Sequence, residues 1–308
     1  MWDTIQNLRL NSNCADAAHE LNSRLNDRME LPLPGLRGEK LYLTGIASLE
    51  KRAAELKAMY DKLRIYRDIT DIVLLDAWSS ASIDGITTTL DYVKNGGATP
   101  KSKEERIVLN IASASNYSHR TPITNNNIRK LWFRIVDGVC ENTAFMGAQF
   151  RDGMIYSDVS SQISHIPAAP NQLPELMEKL FTYLNLQTEN VLIQSFVAHF
   201  YIIYTYPFCD GNAKLARVVN TAHLMSNGYQ KMRKLPLSNA ILKQQDRYYA
   251  SLADSKYQIK DAEENWIDIS PFVSYMMDAF ERCLIDAELS VNVFSNTEKR
   301  SIKMGLSH

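Results

Sequence analysis

Residues 191–217 read VLIQSFVAHFYIIYTYPFCDGNAKLAR, and this stretch decides the fold. Its first half is apolar around the whole helical circumference, so it reads as a buried helix. Pro207 ends that helix, because the residue before a proline is pushed out of the α region. A tight turn follows, and a second helix is expected to begin near Asn212. The N–H groups of Gly211, Asn212 and Ala213 would point out of its first turn, where unpaired amides and the helix dipole favour an anion such as a phosphate. Lys214 and Arg217 lie one turn apart and can converge on the same anion. Asp210 is the kind of single carboxylate that holds Mg2+ shared with phosphate groups. Asp-Gly-Asn is also a frequent turn, so these three residues alone do not separate a phosphate cradle from a structural bend.

Outward from this segment, apolar residues recur at helical spacing in Ile46, Leu49, Ala53, Leu56, Met59 and Leu63. The same holds for Ile128, Leu131, Trp132 and Ile135, and for Leu173, Leu176, Leu180 and Leu184. The chain therefore reads as mainly α. Ser102 with Glu105 forms a capping box before Ile107, and Ser238 after Pro236 marks another helix start. The exception is GAQFRDGMIYSD (147–158), where Asp152-Gly153 between short alternating stretches signals a small β-hairpin. HIPAAP (165–170) marks a loop before the next helix. Asn95-Gly96-Gly97 divides an amino-terminal helical region, 1–95, from a main domain, 96–290. Ser295 with Glu298 in the tail, 291–308, reads as the opening of a further element.

Composition narrows the function. A chain of 308 residues with 45% hydrophobic content can bury a large core. Its net charge of −1, from 34 basic and 35 acidic residues, gives no field to attract nucleic acid or a membrane surface. The basic run Lys231–Lys234 and the acidic run 261–264 read as solvated surface. Cys14, Cys140, Cys209 and Cys283 show no metal-ligand or disulfide-framework spacing, which suits reduced thiols in a cytoplasm. The longest apolar segment, Val191–Tyr206, is too short and too polar to span a bilayer.

The turn resembles the loop of the Fic (Fido) family, His-Pro-Phe-x-Asp/Glu-Gly-Asn-Gly-Arg-x-x-Arg. Pro207, Phe208, Asp210, Gly211, Asn212 and Arg217 match it, whereas Tyr206, Ala213 and Lys214 depart from it. Upstream, SSASIDGI (79–86) is similar to the family's inhibitory motif, Ser/Thr-x-x-x-Glu-Gly/Asn, through Ser80, Asp84 and Gly85. The hairpin at 147–158 stands where the family has its target flap, which would place Phe150, Arg151, Met154, Ile155 and Tyr156 against a target protein or peptide. The resemblance covers roughly residues 40–290. It implies a Fic-type helical bundle with a hairpin flap and an inhibitory helix, and AMP transfer from ATP to a protein hydroxyl. It also implies Mg2+ on Asp210, an anion hole at Gly211 and Asn212, and phosphates on Lys214 and Arg217.

The departures point to loss of transfer. The family's histidine takes the proton from the attacking hydroxyl, and tyrosine stands there instead. An unperturbed Tyr206 would be only about one part in a thousand ionised at pH 7. Losing a general base costs ~10²–10⁴ in rate. Lys214 lacks the two-pronged donor of arginine, and the methyl of Ala213 narrows the approach to phosphate, so nucleotide binding is expected to weaken. Asp84, one methylene shorter than glutamate, is expected to reach Arg217 less well and to clamp loosely. Tyr206 reads as a packing residue, His199 as a hydrogen-bonded core histidine and Cys209 as an inert thiol. Two other functions stay open: a peptide-binding module that adds a strand to the flap, and an altered phosphate-group transferase or AMP-removing enzyme. Self-association is left open as well.

Overall fold

A computed structural model describes residues 27–65, 68–91, 99–118, 122–140, 150–154, 166–186, 190–256, 258–260 and 265–305; side chains are described up to residue 289, except those of 258–260. The architecture is mainly α, with one small sheet. Strands β1 (Arg28–Pro34) and β2 (Lys40–Thr44) precede α1 (Ile46–Lys62) and α2 (Ile69–Ile83). Helices α3 (Lys103–Ser118), α4 (Asn125–Val136), α5 (Leu173–Asn185), α6 (Val191–Thr205) and α7 (Asn212–Ser226) follow. Then come α8 (Leu237–Leu242), α9 (Gln245–Asp254), β3 (Gln258–Lys260), β4 (Asn265–Asp268) and α10 (Ser270–Gly305).

The expected helix boundaries hold where a chemical stop or start marks them. α6 is buried on all sides from Leu192 to Ile202 and ends at Thr205, immediately before Tyr206-Pro207. It is the axis of the core, and α7, α5 and α10 pack around it. At the head of α3 the Glu105 N–H donates to Ser102 Oγ at 3.2 Å, which is one half of the expected capping box. A helix does start where Pro236 and Ser238 mark it: α8 begins at Leu237, and the N–H of Ser238, one residue inside, donates to Asp76 Oδ1 of α2 at 2.7 Å, which also joins the two helices.

Two expectations are corrected. The amino-terminal region is not wholly helical, because β1 and β2 form an antiparallel pair, and β2 runs parallel to β4 in a sheet of order β1-β2-β4-β3. Thr44 and Ser270 lock that junction: the Thr44 N–H donates to Ser270 Oγ at 2.6 Å and Thr44 Oγ1 to Asp268 Oδ2 at 2.8 Å. The tail from 291 is no new element, since α10 continues unbroken to Gly305. The sheet also supports α6. Tyr201 donates to the Pro34 carbonyl at 3.0 Å, and the Leu36 N–H donates to the Tyr204 hydroxyl at 3.1 Å. Among the described residues, no helix is long and apolar enough to cross a membrane.

Candidate functional site

The loop between α6 and α7 is held from both ends. Tyr206 is the only non-glycine residue with positive φ among those described (φ 53, ψ 63), a conformation that costs roughly 1–2 kcal/mol for a residue with a side chain. Its N–H closes on the Ile202 carbonyl at 2.9 Å, which caps α6. Its own carbonyl accepts from Arg151 Nε at 2.7 Å. At the other end Gly211 (φ 74) begins α7, and a Cβ there would lie 3.2 Å from Val136 Cγ1, so both backbone and space demand glycine. Asn212 braces the turn from inside. Its Oδ1 accepts from the Phe208 N–H at 2.9 Å and its Nδ2 donates to the Phe208 carbonyl at 2.8 Å. Phe208 stacks on Trp132, with ring centroids 4.6 Å apart, and Trp132 Nε1 donates to the Asp210 carbonyl at 2.8 Å.

The anion end is built by α2 and α7 together. α2 stops in a paired reversal: the Ile86 N–H reaches the Ala81 carbonyl at 3.1 Å and the Gly85 N–H the Ser82 carbonyl at 3.0 Å, with Gly85 at φ 83. This left-handed glycine turns the chain away and leaves Asp84, at the helix end, facing α7. Arg217 Nη2 donates to Asp84 Oδ1 and Oδ2, both at 2.9 Å, and Lys214 Nζ donates to Asp84 Oδ2 at 2.7 Å. Arg217 Nε donates to Ser80 Oγ at 2.7 Å, and Nη2 to the Ser80 carbonyl at 2.8 Å. The expected loose clamp is thus corrected. Asp84 reaches Arg217 fully, because the backbone at the end of α2 supplies the reach that the shorter side chain lacks.

Electrostatics follow from this packing. Desolvation raises the Asp84 carboxyl, yet the adjacent Arg217 and Lys214 charges overcome it and leave it below the ordinary carboxylate range. Desolvation lowers Arg217, but Asp84 outweighs it and the guanidinium stays firmly charged. Arg217 is buried, and its guanidinium also acts on the buried Tyr248 hydroxyl. Burial first, and then the Asp210 charge, push the Tyr206 hydroxyl up to about 12. Its ionised fraction at pH 7 is therefore ~10⁻⁵, below even the sequence-based expectation.

Beside this cluster lies a cleft of about 450 Å³, of ordinary size for a small-molecule site. Asp84, Lys103, Asp210 and Lys214 give it polar walls, and Ile86, Ile107, Ile135, Val136 and Val139 give it apolar ones. Asp210 is exposed here, with one oxygen accepting its neighbour's Gly211 N–H at 2.5 Å. The cleft therefore brings together Asp210, Gly211, Lys214 and Asp84, whereas Tyr206 belongs to the opposite end of the loop. Lys103 was missed by the sequence reading. It lies far from the motif and carries no local signal of its own.

Of the expected flap, residues 150–154 are described. Phe150 is buried, 5.7 Å from the Phe208 ring. Arg151 is buried too. Its N–H donates to the Pro207 carbonyl at 3.0 Å, its Nη1 to the Gly153 carbonyl at 2.9 Å and its Nη2 to the Ala168 carbonyl. Both side chains face the loop, and residues 150–154 form no strand. Met154 is exposed. Ile155, Tyr156 and most of the hairpin lie outside the described residues. His199 is the expected core histidine: Nε2 lies 3.0 Å from the Tyr248 hydroxyl, and burial lowers its pKa to about 3.

Residues 122–224 match the Fic/DOC family, a segment that includes the loop but not Ser80, Asp84 and Gly85. Over 255 residues the chain is 26% identical to the protein adenylyltransferase Fic of Drosophila willistoni, covering 78% of this chain and 46% of that protein. The protein of the same name from Drosophila mojavensis matches equally, at 26% identity with the same coverage. The chain thus spans about half the length of the curated relatives it matches. Among solved structures, a Fic family protein from Desulfovibrio desulfuricans G20 superposes with a TM-score of 0.64 at 22% identity, over 80% of this chain and 74% of that one. Fic-1 (aa134–508) from C. elegans gives 0.60 at 17% identity, with the same coverage. These structures establish a Fic-type fold, and within it residues 122–224 are the segment that matches the Fic/DOC family.

Proposed function

We propose that this protein retains an ATP-Mg2+ site of the adenylyl-transfer type, while transfer of AMP to a target-protein hydroxyl is lost or strongly reduced. The observation that carries this is the convergence of Lys214 and Arg217 on one carboxylate, Asp84, at the wall of the cleft. Two cations that meet on a single internal anion form a site with the charge and spacing for a phosphate, and Asp84 stands in for it. Nucleotide phosphates would take the same two cations and the Asn212 and Ala213 amides. Asp210 would hold Mg2+ through those phosphates, and the apolar walls suit a base and ribose. When bound, MgATP supplies the activated α-phosphorus for transfer. The relatives' name, protein adenylyltransferase, supports a protein as the acceptor.

What this chain lacks is the proton acceptor. A neutral phenol at Tyr206 can donate a hydrogen bond, but it takes no proton from an attacking hydroxyl at pH 7. Incubation with labelled ATP, Mg2+ and lysate tests the proposal. Unmodified protein is expected to transfer no label, and the double variant Tyr206→His, Asp84→Ala to transfer some. Robust labelling by the unmodified protein would overturn the reading. No observation favours strand addition at the flap, since Phe150 and Arg151 face inward.

A further inference from the structure

Cys140 and Cys209 come from two different segments that line the cleft. Cys140 follows the end of α4, its N–H bonded to the Val136 carbonyl at 3.1 Å. Cys209 occupies the variable position of the loop, between Phe208 and Asp210. Their Sγ atoms lie 3.9 Å apart, although 69 residues separate them in sequence. Both thiols are half-buried, and both line the cleft beside Gly211 and Lys214. A disulfide needs the sulfurs about 2.05 Å apart, so closing it draws the two thiols together by about 1.9 Å. Nothing in the adenylyl-transfer chemistry calls for two thiols at this point.

We propose that Cys140 and Cys209 form a reversible intramolecular disulfide that ties the Tyr206–Arg217 loop to the end of α4. The inference rests on the pair's geometry and stands whether or not nucleotide binds. A peroxide is the oxidant. The Cys140 sulfur attacks one peroxide oxygen, the O–O bond breaks, and Cys140 becomes a sulfenic acid while water leaves with the thiol proton. The Cys209 sulfur then attacks the Cys140 sulfur. An S–S bond forms, the S–O bond breaks, and the Cys209 proton leaves with the hydroxide as a second water. In total two thiols and one hydrogen peroxide give one disulfide and two waters. Burial and the neighbouring Cys140 push the Cys209 thiol up, and the same disulfide and two waters result whichever of the two sulfurs is oxidised first.

The test treats the full chain with hydrogen peroxide, quenches with an alkylating agent under denaturing conditions and maps the peptides. The chain has four cysteines, so the expected product loses two of four alkylation sites and yields a linked Cys140–Cys209 peptide that dithiothreitol releases. Cys283→Ser should leave that link intact, and Cys209→Ser should abolish it. Hydrogen exchange supplies a second reading, with amides 206–213 exchanging more slowly in the oxidised protein. Alkylation of both Cys140 and Cys209 in the oxidised sample would overturn the proposal. So would a link from either of them to Cys14 or Cys283, or unchanged exchange at 206–213 in linked protein.

Discussion

The two ends of one loop have had different fates. At the anion end Lys214 and Arg217 keep their charges and their aim, and a carboxylate from another helix already sits between them. At the other end the backbone is held in an unusual conformation, Tyr206 in the left-handed region with Arg151 on its carbonyl, yet the side chain presented there has no basic nitrogen. Under the proposed function the loop keeps its scaffold, packed through Phe208 on Trp132 and Asn212 on Phe208, and lacks a proton acceptor at position 206.

The strongest way to break this comparison is at Arg217. Arg217→Ala leaves Asp84 buried beside Lys214 alone and strips Ser80 of its donor. Denaturant unfolding should show a loss of about 3–5 kcal/mol, the usual cost of removing one partner of a buried pair. A loss under about 1 kcal/mol would mean that the cluster does not hold α2 to α7. Next is Arg151→Met, which keeps bulk but leaves the Tyr206, Gly153 and Ala168 carbonyls without their donor. A cost of about 2–4 kcal/mol is expected in the same measurement. A neutral result would show that the base end needs no such brace.

The smallest effect compares two carboxylates on the clamp helix through their pH dependence. Burial raises Asp76 from 3.8 to about 6 against the weaker opposing pull of its Ser238 hydrogen bonds. Between about pH 4 and 6 the folded state holds a proton that the unfolded chain has released, so stability falls as pH rises through that window. Asp84 has the opposite sign. Its depressed pKa gives stability above the unfolded value that is lost as pH falls. Asp76→Asn should therefore add about 2 kcal/mol at pH 7.5 and nothing near pH 4. An equal change at both pH values would contradict the assignment.

Much of this was legible in the sequence. Pro207 fixes where α6 stops, and Gly211-Asn212 fixes where α7 starts, because each acts through its own backbone. Lys214 and Arg217 could be named because they lie one turn apart on one helix, and Ser80 and Asp84 through the resemblance of their motif. The β2–β4 pairing was not legible: Lys40 meets Trp266 across a parallel register, and five-residue alternation in KLYLT carries no pointer to a partner that distant. Nor was the direction of Phe150 and Arg151. A turn signal at Asp152-Gly153 marks a bend, but not which flanking side chains face the core. The reach of Asp84 was misjudged because side-chain length was weighed without the left-handed stop at Gly85 that sets the carboxylate's position.

The central claim is that the anion site is whole and is occupied by the chain's own carboxylate. Calorimetric titration of MgATP into unmodified protein and into Asp84→Ala tests it most directly. Removing charge-assisted hydrogen bonds worth about 1.5–3 kcal/mol from the competing carboxylate should tighten ATP binding roughly 10- to 100-fold. Equal affinity in the two proteins, or no binding in either, would contradict it.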